Sequence, residues 1–321
     1  MGAGPEISIV LPAHNEAGNI SAMAAAIAQQ MALIGPYEII FVDDGSSDGT
    51  LPAIRAAARD PAVRYVSFTR NFGHQAALRA GLRHARGHGV ILMDADFEHP
   101  PELIPKLIAA WRAGAKIVAT RREDADAVSV GKRLSSQLYY HLLDRLGDVR
   151  IEPGSADFML LDRAVVDVVN GIGDNDIFLR GLVRWLGFPL TTIPYARGVR
   201  QHGASKFSLR RMVELALSGI AAHSVRPLRF AIWLALGFAA LGLLFVIYAL
   251  VSYLFVRHTV AGWSSIIAVI AILGAAQLFV LGIIGEYVGR ILRETRKRPS
   301  YIVAETEADG LVAQKKLVTT D

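Results

Sequence analysis

Three carboxylates at alternate positions, Asp94, Asp96 and Glu98, follow the apolar run Val90-Ile91-Leu92-Met93 and stop at His99-Pro100-Pro101. Hard oxygen donors at this spacing suit Mg²⁺ or Mn²⁺, and such a cation offsets the charge of a diphosphate group. Asp and Glu ahead of a helix are also ordinary caps, and Pro101 is a good first helical residue. The residues alone therefore leave a cation site and an acidic cap both open.

These side chains need an element that delivers them to an edge. A short apolar run bounded by Gly89 and Pro100 has the pattern of a buried strand in a parallel sheet. In open α/β sheets ligands gather outside the carboxyl ends of the strands. The N-terminal half repeats the required alternation. Ile7–Pro12 predicts a strand, Ile20–Leu33 a helix, Tyr37–Val42 a strand, Thr50–Arg59 a helix, Val63–Thr69 a strand, Gly73–Ala85 a helix and Gly89–Met93 a strand. Strands alternating with helices argue for a mostly parallel, Rossmann-like sheet with right-handed crossovers. Lys116–Thr120 predicts a further strand ending in Arg121 and Arg122, and Val130–Leu146 a helix carrying Lys132 and Arg133.

The C-terminal third has a different composition. The chain is 321 residues long and 52% apolar, and the excess lies in two uncharged runs, Phe230–Val256 and Trp263–Ile284. Each exceeds the roughly 20 residues needed to cross a bilayer, and both are expected to be transmembrane rather than buried core helices. Arg226 and Arg229 precede the first, and Arg290, Arg293, Arg296, Lys297 and Arg298 follow the second. Only Arg257 and His258 lie between them. The positive-inside rule then puts both termini in the cytoplasm, at a bacterial inner or other plasma membrane.

The net charge of +5 is concentrated beside these runs and fits anionic lipid headgroups better than nucleic acid. With no cysteine there is no disulfide, thiolate metal site or cysteine nucleophile. No basic and apolar leader precedes the first strand, so no cleavable signal is expected. Leu209, Met212, Val213, Ala216, Leu217 and Ile220 recur at helical spacing, as in an amphipathic helix lying in a membrane interface; a core helix would show the same period. The segment after Tyr301 reads as a polar, mobile tail.

Four ordered motifs carry a specific resemblance. They are Ile9-Val10-Leu11-Pro12-Ala13-His14-Asn15-Glu16, Val42-Asp43-Asp44-Gly45-Ser46-Ser47-Asp48-Gly49-Thr50, Arg70-Asn71-Phe72-Gly73-His74-Gln75-Ala76-Ala77-Leu78, and Asp94-Ala95-Asp96-Phe97-Glu98-His99-Pro100-Pro101-Glu102. In order and spacing the chain resembles the family 2 inverting glycosyltransferases of GT-A fold. Within that family it is most similar to the polyprenyl-phosphate branch, which includes dolichol-phosphate mannose synthases and bacterial undecaprenyl-phosphate glucosyltransferases.

The resemblance implies a nucleotide-sugar pocket of Pro12, Asn15, Glu16, Asp43, Asp44, Arg70, Asp94 and Ala95. Asp43 and Asp44 would face the base and ribose, while Asp-Gly chemistry also permits a plain tight turn there. Asp94 and Asp96 would hold the metal and the diphosphate, with Glu98 as a third ligand where the family often has Gln. Arg121, Arg133, Arg197 and Ser205 would receive the acceptor phosphate, although surface Arg and Lys are often only solvated. Asp96, Asp157, Arg200 and Lys206 would be catalytic. Asp157, in Gly154-Ser155-Ala156-Asp157, would orient the sugar or the acceptor, a helix cap being the simpler alternative.

A lipid monophosphate needs no general base, because its second pKa is about 6; an alcohol acceptor does. Arg184-Trp185 ends a motif of processive synthases, but Gly181 stands where those enzymes have Gln, which favours a single transfer. In Arg197–Lys206, glycines permit close approach to phosphate and the basic groups offset its charge; a juxtamembrane basic run is the alternative.

The expected architecture is a GT-A catalytic domain over 1–207, an interfacial helix over 208–228, two transmembrane helices over 229–289 and a basic tail over 290–321. The expected activity is metal-dependent, inverting transfer of one hexose from a nucleotide-diphosphate sugar, UDP-glucose foremost, to polyprenyl (undecaprenyl) phosphate. The expected partners are that sugar, the lipid phosphate, the membrane and further copies of the chain. The competing readings are transfer to a lipid alcohol and a non-catalytic membrane-anchored nucleotide-sugar binder.

Overall fold

Along Ile7–Ala13 (β1) every residue is buried, and successive side chains enter different cores. Ile7, Ile9, Leu11 and Ala13 pack into one apolar cluster and Val10 into another. A strand alternates its faces with a period of two, so burial of both sets means a sheet covered on both sides. The computed structural model of the chain describes residues 4–123, 154–173, 178–196, 226–251, 262–296 and 298–307.

After β1 the order is α1 (Ile20–Met31), β2 (Tyr37–Asp43), α2 (Thr50–Ala57), β3 (Val63–Phe68), α3 (His74–His84) and β4 (Gly89–Leu92). A 3₁₀ turn at Pro101–Leu103 leads into α4 (Ile104–Arg112), followed by β5 (Ile117–Glu123), β6 (Ser155–Asp162), α5 (Arg163–Gly171), α6 (Leu179–Trp185) and β7 (Leu190–Ala196). Two long helices, α7 (Arg226–Val251) and α8 (Trp263–Thr295), precede a last strand, β8 (Val303–Thr306). The strands and helices expected in the N-terminal half are all present, with ends within about two residues, the usual disagreement at termini.

The eight strands form one sheet in the order β7-β5-β6-β4-β1-β2-β3-β8. The pairs β1/β2, β1/β4, β2/β3 and β5/β7 are parallel, while β6 runs antiparallel to β4 and β5, and β8 antiparallel to β3. This is the expected α/β fold with a mostly parallel sheet. The chain winds from β1 through β2 to β3 and then returns to the other side of β1 with β4. That reversal is the switch point beside which α/β folds open a crevice.

Register decides what reaches the crevice. Ala13 pairs with Asp43 and Val10 with Leu92, so the loops after β1, β2 and β4 leave the sheet at one edge. Leu92 also pairs with Met159 of the antiparallel β6, which brings the start of β6 to that same edge. Asp157, two residues before Met159, therefore comes level with Asp94, two residues after Leu92.

The chain divides into two units, and β8 belongs to the first, with the sheet, although it follows α8 in sequence. The polar, mobile tail expected after Tyr301 is corrected where Val303–Thr306 forms a strand of the sheet. Tyr301 is buried and stacks on Phe68 at 4.9 Å, Arg55 donates twice to Glu305, and Arg64 Nε donates to Glu307. The polar residues that read as a tail are held by partners from α2 and β3.

The second unit contains α7 and α8, which pack on one another. Among the described residues, Ile272–Gly289 of α8 is the helical stretch long and apolar enough to cross a membrane, and α7 carries the shorter apolar run Ala235–Leu244. The interfacial helix expected over 208–228 and the helix expected over Val130–Leu146 lie outside the described residues, except that Arg226 opens α7.

Candidate active site

The loop after β4 carries the first acidic group. The helical turn at Pro101 has no side-chain capping bond. Asp94 is instead fixed through its backbone, whose N–H donates to His99 Nδ1 at 2.8 Å. A ring nitrogen that accepts has no hydrogen to offer, so the 3.5 Å approach of the same Nδ1 to Asp94 Oδ2 is proximity and not a second bond. His99 is itself buried, stacked on Phe158 at 5.1 Å and edge-on to Tyr195. Between them the chain turns sharply, with Phe97 at φ 64, an uncommon conformation for a bulky residue.

The three carboxylates are not gathered into a cage. Asp96 Oδ1 accepts the Glu98 N–H at 3.0 Å, and among the described residues no three His, Asp or Glu side chains converge as metal ligands. Asp94 and Asp96 still place oxygen donors at the crevice. Mg²⁺ characteristically uses one or two protein carboxylates and completes its shell with water and substrate phosphate. That donor set fits a hard cation shared with a diphosphate, and the assembled three-carboxylate site expected from the sequence is absent among the described residues.

The loops after β1 and β2 are laced together. Asn15, at φ 59, accepts the Ser47 N–H through Oδ1 at 3.0 Å, and its own N–H donates to Ser46 Oγ. Glu16 N–H donates to Thr50 Oγ1, and Glu16 Oε2 accepts from Asn19. Pro12 and Ala95 are buried. Asp43 makes the turn that its sequence allowed: Oδ1 accepts the Ser46 N–H and Oδ2 the Ser67 hydroxyl.

Asp44 reaches further, accepting the N–H groups of Phe72 and Gly73 at 2.6 and 2.9 Å. Burial raises its carboxyl above the usual range, against the pull of those two bonds. Gly45 sits at φ +61 where an added Cβ would overlap the Arg70 backbone, so only glycine fits between the two loops. Arg70 lies over the Phe72 ring, 4.0 Å from its centroid, at the exposed end of this assembly.

Asp157 lies in a strand, not at a helix cap; that role falls to Asp162, which accepts the Ala164 N–H. Arg180 Nε and Nη2, from α6, donate to the two Asp157 oxygens at 2.5 and 2.8 Å, and His74 Nε2, the first residue of α3, lies 3.3 Å from Oδ2. Burial alone would raise this carboxyl, but His74 and Arg180 outweigh it and hold Asp157 ionised well below the usual carboxylate range. His74 itself is raised: burial lowers it, and the bond to Asp157 with the charge of Asp94 more than compensates. Burial, helped by Asp94 and Glu98 and opposed by Arg122, pushes the Tyr195 hydroxyl up to about 12, so it stays protonated beside them.

Of the residues expected to receive an acceptor phosphate, Arg121 is described. It stands exposed on β5 opposite Ser155, with Glu123 3.9 Å away. Arg133, Arg197, Arg200, Ser205 and Lys206 lie outside the described residues. The structure adds His74, His99, Arg180 and Tyr195 to the site. His74 and His99 stand inside the motifs that carried the resemblance, and Arg180 stands apart from them, in the first turn of α6. Each has a partner on another strand or helix, which only sheet register discloses.

Residues 8–169 match Glycosyl transferase family 2, and residues 226–291 match the GtrB C-terminal hairpin. The chain is 36% identical over 303 residues to "Uncharacterized glycosyltransferase YkcC" of Bacillus subtilis, covering 94% of each chain. It is 37% identical over 304 residues to the "SfII prophage-derived bactoprenol glucosyl transferase" of Shigella flexneri, covering 94% of this chain and 98% of that one. A "Prophage bactoprenol glucosyl transferase homolog" of Escherichia coli is 35% identical, covering 93% and 98% respectively.

Proposed function

The chain belongs to glycosyl transferase family 2 and is a glycosyltransferase, and from that premise we propose that it transfers one hexose from a nucleotide-diphosphate sugar to a polyprenyl phosphate at a membrane. A phosphate oxygen of the lipid attacks the anomeric carbon, the bond from that carbon to the diphosphate breaks, and the nucleoside diphosphate leaves with the electron pair. Attack opposite the leaving group inverts the anomeric centre. Relatives named for transfer to bactoprenol support this acceptor class, and UDP-glucose is the first donor to try.

The observation that carries the reading is the state of Asp157. A carboxylate clamped by Arg180 and His74 is a poor proton acceptor. An acceptor that arrives already ionised does not need one, whereas an alcohol would. In this reading Asp157 orients sugar or acceptor. Pro12, Asn15, Glu16, Asp43, Asp44, Arg70, Asp94 and Ala95 frame the donor. Arg121, Arg133, Arg197 and Ser205 meet the acceptor phosphate, and Arg200 and Lys206 offset charge on the departing diphosphate. Asp94 and Asp96, with Glu98 nearby, would hold Mg²⁺ or Mn²⁺ together with the donor. When bound, the cation neutralises developing charge on the leaving group.

The hairpin of α7 and α8 is read as two membrane spans with both termini on the cytoplasmic side, and the chain as a homo-oligomer. The apolar exposed helix faces and the hairpin match over 226–291 support the membrane assignment.

The test incubates the full chain in membranes with radiolabelled polyprenyl phosphate and a panel of nucleotide sugars, with and without a chelator. Labelled glycolipid from one donor, lost on chelation, is expected. Asp157→Asn should slow transfer by on the order of tenfold through misplacement. Abolition of turnover by that change, with transfer to a lipid alcohol, would sink the phosphate-acceptor reading.

A further inference from the structure

His74 touches both halves of the site. Its Nε2 lies 3.3 Å from Asp157 Oδ2 on β6 and 3.6 Å from Asp94 Oδ1 after β4, and 41% of its side chain is open to solvent. One ring hydrogen makes one good bond, and only the shorter separation is within hydrogen-bond reach. The other contact is a close approach without a hydrogen bond. Asp94 and Asp157 are brought level by strand register, on two different strands of the sheet. Arg180 holds both oxygens of Asp157, and the side chain within reach of both Asp94 and Asp157 is that of His74.

The surroundings hold His74 in that place. Asp44, at the end of β2, accepts the N–H groups of the two residues immediately before it, Phe72 and Gly73. The next residue, Gln75, accepts the Leu179 N–H through Oε1 at 3.1 Å, fixing the start of α6 one residue before Arg180. The first two residues of α3 thus reach Asp94, Asp157 and the helix that carries Arg180.

We propose that His74 is a positioning residue that joins the donor half of the site to the acceptor half, so that the placement of Asp94 depends on that of Asp157. This rests on the transfer reading above. The side chain needs a hydrogen at the Nε2 position to do so. Gln supplies an amide hydrogen there, whereas Asn reaches only as far as Nδ1, and Ala supplies nothing.

The experiment measures steady-state transfer by the full-length chain in membranes, as wild type, His74→Ala, His74→Asn and His74→Gln, with separate KM values for nucleotide sugar and polyprenyl phosphate. His74→Ala and His74→Asn are expected to raise both KM values, each on the order of five- to tenfold, and His74→Gln to stay within about twofold of wild type. A rise in one KM alone, a fall in kcat with neither KM moved, or a Gln variant as impaired as Ala overturns the proposal. Where His74→Ala fails to accumulate, the contrast between the Gln and Asn variants decides the matter in the same way. A wild-type chain that glycosylates a lipid alcohol instead overturns only the acceptor assignment, and both KM values are then read with that alcohol.

Discussion

Asp94 is placed by a backbone hydrogen bond to a buried histidine, and this contact gives a sharp residue-scale test. Asn offers an oxygen where His99 has Nδ1, while Phe keeps the stacked ring on Phe158 and removes the acceptor. Leaving a part-buried N–H without a partner costs about 1–3 kcal/mol. His99→Phe is expected to lower kcat/KM by on the order of tenfold or more, and His99→Asn to preserve most of it. The reverse ranking would mean that ring packing, not the acceptor, sets Asp94. Carboxylates and their spacing were legible in the sequence because ligand chemistry restricts residue type. The histidines were not, since a histidine declares its role only through a partner brought near by register. Asp43 and Asp44 looked alike, yet one closes its own turn and the other pins the loop before His74.

Among elements, β8 departs most from what its sequence suggests. Four residues, Val-Ala-Glu-Thr, are too few for a period to appear, and the Arg55 that meets Glu305 is 250 positions away. Removing the buried Tyr301 ring from its stack on Phe68 should cost about 3–5 kcal/mol. Tyr301→Ala is therefore expected to lower the melting midpoint by several degrees. An unchanged midpoint would show that β8 does not hold the sheet edge. Arg55 holds the Glu305 carboxyl below its usual range, against some desolvation. A carboxyl depressed in the folded state stabilises above its unfolded pKa and loses that contribution as pH falls through the folded value. In Glu305→Gln the midpoint should accordingly fall less steeply on acidification than in wild type. The alternating elements of the N-terminal half were legible throughout, because strands buried on both faces are apolar runs and their helices are separated by Gly, Asp and Ser. The antiparallel insertion of β6 between β4 and β5 was not, since strand order leaves no local mark.

For the whole molecule, composition alone separated a sheet unit from an apolar helical unit. Uncharged runs need no partner to be recognised, and α8 presents Ile272–Gly289 with none of it buried. The full chain is expected to remain in the membrane pellet after alkaline carbonate washing, and its recovery in the supernatant would contradict two spans. What composition hid is that the first unit is discontinuous, since β8 returns to the sheet from beyond the hairpin.

This return fixes an order of biogenesis. A ribosome delivers β1 to β7 first, then both long helices, and only afterwards the strand that seals β3. Until that moment β3 offers unpaired backbone groups, the kind of open edge on which strands of other chains aggregate. A chain interrupted within α8 leaves that edge open, and pairing of Val303–Thr306 with β3 closes it.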